Sequence, residues 1–174
     1  MAENSLRINH DHDSIQLFWQ RGHSAPRFAP PATFEHPFDS KALDSLRWYL
    51  EEYLRFPYGL EPENAQKIEQ QLQAWGQQLF DLVFRSSEKA REFFQEATRA
   101  GLDKCEINII SDNPAVLNLP WELLFAPDYQ FLASLMAGMY RSLSNYAVRA
   151  ELGTMSDEQL NILLVIARPY GERD

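Results

Sequence analysis

Two imidazoles and two carboxylates stand side by side in His10-Asp11-His12-Asp13, a donor set able to bind zinc or another divalent ion. In an extended segment His10 and His12 would share one face. A catalytic metal site draws further ligands from elsewhere, and the other two histidines, His23 and His36, lie in a proline-rich stretch. The cluster therefore reads as a solvated turn, and no metal or other cofactor is expected. Cys105 is the sole cysteine. A thiolate nucleophile needs a base within reach and surroundings that lower its pKa, whereas Cys105 sits in a strand pattern and reads as a small buried hydrophobe. Glu51, Glu52, Glu61 and Glu63 flank helix ends and a turn, where carboxylates face water. The seven glycines are scattered, with neither dinucleotide nor P-loop spacing.

Glu122 and Arg141 stand apart from these surface charges, because each lies within an apolar stretch expected to face the core. Burying either charge alone is costly. A salt bridge between them would satisfy both; the rival arrangement is hydrogen bonding of each to backbone or partner groups. Either role is structural support rather than chemistry.

The elements that must position these residues follow from periodicity. Leu6/Ile8 and Ile15/Leu17/Trp19 alternate as two strands of a hairpin around the polar turn. Pro26, Pro30, Pro31 and Pro37 mark an irregular connector. After the capping residues Asp39 and Ser40, the spacing of Leu43, Leu46, Leu50, Tyr53 and Leu54 predicts a helix over 40–56. A second helix opens at Pro62 with the stripe Ala65, Ile68, Leu72, Trp75, Leu79 and Leu82. A third, capped by Ser86 or Ser87, carries Ala90, Phe93, Phe94 and Ala97 and ends at Gly101, read as a left-handed turn. Trp48, Trp75, Phe80, Phe84, Phe93 and Phe94 are thereby core aromatics. Cys105, Ile107 and Ile109 alternate as a strand, Leu119 to Leu124 reads as a short helix with Pro120 in its first turn, and 161–167 reads as a strand buried on both faces. Strands interleaved with helices imply an α/β architecture with a mainly parallel sheet. Residues 1–38 form N-terminal strands and the connector, and 39–174 the main unit.

Composition narrows the function classes. A chain of 174 residues with 45% apolar content can bury one sizeable core. Its net charge of -9 and the lack of a basic run disfavour nucleic acid, whose binding rests on clustered Lys and Arg. The longest apolar run, Ile162 to Ala167, is far short of the roughly 20 residues that span a bilayer. A lone cysteine and a start without signal-peptide character point to a reducing cytoplasm.

Leu119-Pro120-Trp121-Glu122-Leu123-Leu124 resembles the most specific local motif of CHAT domains, a family similar in fold to caspases and separases. The surrounding order fits: a strand from Cys105 upstream, Phe131-Leu132 and Tyr140-Arg141-Ser142-Leu143 downstream, then 161–167 followed by Arg168-Pro169. The resemblance covers roughly 40–169 and implies a caspase-like layered sandwich, incomplete in this chain. It also implies cysteine peptidase activity in the complete form. The family's catalytic histidine, in a Gly-rich turn, and its cysteine, after a later strand, both follow the matched region, so no catalytic role falls on any residue up to Asp174. Leu119, Pro120, Trp121, Glu122, Arg141, Arg168 and Pro169 are carried over as structural motif positions. The partners implied are a protein or peptide, with self-association or a C-terminal half covering the sheet. The alternative is a stand-alone pseudo-peptidase that binds or regulates another chain.

Overall fold

The computed structural model describes residues 2–55 and 62–144; the expected strand at 161–167, Arg168 and Pro169 lie outside the described residues. The chain opens on the expected hairpin, β1 (Asn4–Asp11) against β2 (Ser14–Arg21), antiparallel in unbroken register. Leu6, Ile8, Ile15, Leu17 and Trp19 point to one face and are buried. The turn is His12-Asp13, with His12 at φ +50°, so His12 leaves the strand and does not share the face of His10. The proline-rich connector contributes two short strands, β3 (Arg27–Phe28) and β4 (Ala32–Thr33), both antiparallel to β2.

Asp39 caps α1 (Ser40–Arg47), its carboxylate accepting from Ala42 N at 2.7 Å. The expected regular helix to residue 56 is not formed. Instead, Trp48–Tyr53 widens into a π-helical stretch, with Leu54 N donating to Tyr49 O at 3.1 Å. The extra residue per turn rotates the stripe: Tyr49 is buried, while Leu50 and Leu54 are 53% and 49% exposed. In α2 (Pro62–Phe84) the buried face is Ala65, Ile68, Gly76, Leu79, Phe80, Val83 and Phe84. Leu72, Trp75 and Leu82, read from the sequence as core, are partly buried at its margin. Ser87 caps α3 (Glu88–Thr98) through Ala90 N, and Ala90, Phe93, Phe94 and Ala97 are buried as expected. Gly101 takes φ +120° and ψ 146°, a positive-φ conformation outside the expected left-handed turn, though equally a glycine position.

β5 (Cys105–Ile110) lies parallel to β1. After the four-residue α4 (Pro114–Leu117) comes a separate small hairpin of β6 (Phe125–Ala126) and β7 (Gln130–Phe131). β8 (Gly138–Ser142) then joins parallel to β5. The sheet is ordered β3-β2-β1-β5-β8, with β4 also on β2. The fold is mixed α/β: among the described residues β1, β5 and β8 pair in parallel, and the hairpin side is antiparallel. Residues on either side of Phe38 share this sheet and one apolar cluster. In that cluster α2 and α3 pack on the face bearing Leu6, Ile8, Ile107 and Ile109, with Trp19 against Phe93 at 5.7 Å between rings. The opposite face carries Arg7, Asn9, Glu106, Asn108 and Tyr140. Among the described residues no helix is long and apolar enough to cross a membrane.

Candidate functional site

Of the carried-over motif residues, Leu119 and Glu122 meet Arg141 of β8. Asn113 caps α4, its side-chain oxygen accepting from Ala115 N at 2.9 Å. The chain then turns through Leu119 and Pro120 into Trp121–Leu123, a single 3-10 turn where a short helix was expected. Trp121 is fully buried. Its indole N–H donates to Val116 O at 2.7 Å, and its ring stacks on Phe34 with centroids 5.8 Å apart. A buried tryptophan needs such a partner for its single donor. Leu119 and Leu124 are buried beside it. The turn approaches α2 at Gly76, where a side chain would overlap the carbonyl oxygen of Leu123 and come within 2.9 Å of Phe125 Cβ.

Arg141 stands on β8 opposite Ile109. Its Nη2 donates to Glu122 Oε2 at 2.7 Å and to Leu119 O at 3.2 Å, so the salt bridge and the backbone bond, weighed above as rivals, coexist. The side chains are nevertheless 34% exposed for Arg141 and 55% for Glu122. The expectation that both are buried in the core is therefore corrected: the pair sits at the rim, on the last described strand of the sheet. Partial burial pushes the Glu122 carboxyl upward, but the Arg141 hydrogen bond, its own backbone N–H and the nearby positive charge outweigh this and leave it below the usual range.

The other candidate chemistry divides as follows. Cys105 is fully buried, and desolvation, helped by Glu106, pushes its thiol up to about 12. Such a thiol is no nucleophile at neutral pH. Glu51, Glu52 and Glu63 are exposed, and Glu61 lies outside the described residues. At the carboxyl ends of β1 and β5 an open cleft of about 470 Å³ is lined by Asn9, His10, Asp11, Ser111, Asp112 and Asn113 among others. Open α/β sheets bind ligands at such strand ends. Here His10 Nδ1 lies 3.0 Å from Ser111 Oγ, while His12 and Asp11 are exposed. Among the described residues no group of three or more His, Cys, Asp or Glu is placed to hold a metal.

Three contributors escape sequence reading. Phe34 comes from the proline-rich connector, Ser111 lies just past a strand, and Gly76 has no side chain to register in a hydrophobic stripe. The only available signal was Gly76 itself, a poor helix former in the middle of the strongest helical pattern. No family model matches the chain, and neither a curated protein nor a solved structure does.

Proposed function

We propose that this chain is the N-terminal, non-catalytic portion of a CHAT-type cysteine peptidase of the bacterial cytoplasm. In its complete form a histidine-assisted cysteine thiolate, contributed by segments following residue 174, would hydrolyse peptide bonds. The observation that carries the reading is the Leu119-Pro120-Trp121-Glu122 turn. Its tryptophan fills the core, and its glutamate and a carbonyl hold Arg141 of the neighbouring strand. The contribution of such a unit would be positional: a rigid sheet whose following strands bring the catalytic pair together. Cys105, buried with a raised pKa, supports a scaffold role for the described residues. A protein or peptide is the partner this reading requires.

The test is to translate the reading frame beyond Asp174 and assay the whole product against a diverse peptide library. A His-Gly turn and a later cysteine, with cleavage abolished when that cysteine becomes alanine, would establish the proposal. A frame that ends without either motif would sink it and favour a pseudo-peptidase that binds another chain.

A further inference from the structure

The side chains of His10 and Ser111 bridge the carboxyl ends of β1 and β5. Ser111 is fully buried, and its Oγ has two partners: Asn113 N, which donates to it at 3.0 Å, and His10 Nδ1, also at 3.0 Å. A backbone N–H can only donate. The hydroxyl therefore has its own proton left to give, and His10 Nδ1 is the acceptor within reach. This assigns His10 as the neutral tautomer with the proton on Nε2. The other neutral form would direct a second donor at Oγ and leave the hydroxyl proton without an acceptor.

We propose that His10 and Ser111 form an acid-released latch, in which protonation of His10 loosens the segment from Ser111 to Glu122 from the sheet. An imidazolium carries a proton on both nitrogens, so Nδ1 becomes a donor and the buried hydroxyl proton of Ser111 loses its acceptor. The consequence travels along the chain. Ser111 Oγ holds Asn113, Asn113 caps α4, and Val116 of α4 holds the indole of Trp121. Phe34 closes the circuit, meeting His10 edge-on at 5.7 Å and stacking on Trp121.

Burial disfavours the imidazolium most; on the hairpin turn Asp11 and Asp13 favour it, the His12 ring opposes it and a hydrogen bond to the His12 backbone favours it. Asp112, on the loop after β5, lines the same cleft, with its carboxylate accepting from Ser144 N at 3.1 Å. From the connector comes the uncharged ring of Phe34, with His36 beyond it at 6.3 Å. The balance lies below the ordinary value of 6.5. A depressed pKa means that the latch's contribution is complete above about pH 6.5 and is lost as the pH falls through the folded-state value. The latch stands independently of the peptidase reading.

Hydrogen–deuterium exchange of the amides at 111–124, at pH 7.5 and 5.0 and corrected for intrinsic rates, reads the latch directly. In the unaltered chain, exchange should rise about two- to tenfold at the lower pH, the range that one hydrogen bond commands. His10→Asn places an acceptor near the Nδ1 position but cannot titrate, so its protection should be independent of pH. Ser111→Ala should exchange fast at both values. An unaltered chain that shows no change, or a Ser111→Ala chain that keeps the full response, would overturn the proposal. A measurement needing no variant guards against misfolding: the imidazole ¹⁵N shifts of His10 at pH 7.5 should report an unprotonated Nδ1, and a proton on Nδ1 would refute the latch.

Discussion

Gly76→Ala sets two well-understood effects against each other. Gly76 is in the interior of a 23-residue helix, where glycine is about 1 kcal/mol worse than alanine. On helix propensity alone the substitution should stabilise the protein. In the fold, however, the new methyl group would overlap the carbonyl oxygen of Leu123 and stand 2.9 Å from Phe125 Cβ. A flexible side-chain tip could move aside, but this carbonyl is backbone held from both directions. Trp121 is buried on one side, and on the other Leu132 N donates to Leu124 O at 2.9 Å. Overpacking a filled core costs about 1–3 kcal/mol, and a clash with fixed backbone belongs at the upper end. Subtracting the propensity gain leaves a net loss of about 2 kcal/mol. With a urea slope of about 2 kcal/mol per molar, the unfolding midpoint should fall by roughly 1 M. Circular dichroism through a urea series would measure it, with Gln71→Ala, at an exposed α2 position, as the control for propensity. A Gly76→Ala protein as stable as the original, or more so, would refute the reasoning and with it the seating of the Trp121 turn on α2.

Arg141→Ala removes a half-exposed ion pair and a bond to Leu119 O, and should lower stability by about 1–2 kcal/mol. Glu122→Gln should cost about 0.5 kcal/mol and flatten stability at low pH. The sign follows from its depressed pKa: the Glu122 contribution is present above the unfolded value of 4.5 and is lost as the pH falls through the folded one. Tyr49 shows the opposite linkage. Burial, followed by its hydrogen bond to Glu69 at 2.8 Å, raises its pKa from 10.0 to about 12, so its contribution disappears between pH 10 and 12, and Tyr49→Phe should be less sensitive there. Cys105 in the native chain should resist thiol reagents at pH 8 and react only on unfolding. The 174-residue chain should cleave no peptide, and turnover abolished by Cys105→Ala would contradict the burial of that thiol.

Legibility of the fold tracked how far each signal depends on local pattern. The hairpin and α3 were readable because their apolar residues keep strict periods and Ser87 supplies a local cap. The stretch after α1 was not, since nothing in Leu50 or Leu54 reveals a change from α to π geometry, which packing of Tyr49 against α2 decides. The two antiparallel additions to β2 were not legible because β3 and β4 are only two residues each, too short for any alternation to show. At the candidate site, the Glu122–Arg141 pairing was legible from the expense of burying like-placed charges singly, but its exposure depended on which strand formed the sheet rim. His10 and Ser111 are 101 positions apart, and only the parallel register of β1 with β5 brings them together.

The Glu122–Arg141 pair contributes little energy compared with Trp121, whose removal would cost about 3–5 kcal/mol. Its value lies in direction. β8 has no strong apolar alternation to fix its register: on its helix side only Met139 packs against the core. Polar contacts do the fixing, and they do so on both faces. Arg141 reaches Glu122 and Leu119 on one side; Tyr140 donates to Glu106 at 3.0 Å and Ser142 to Asn108 at 2.7 Å on the other. A slip of one residue would send every side chain of β8 to the opposite face and break all of these contacts together. Four modest interactions thereby enforce an alignment that hydrophobic burial leaves open. On the proposed reading this strand belongs to the sheet that later segments must join, so a register error here would displace the residues that must meet to within hydrogen-bond distance.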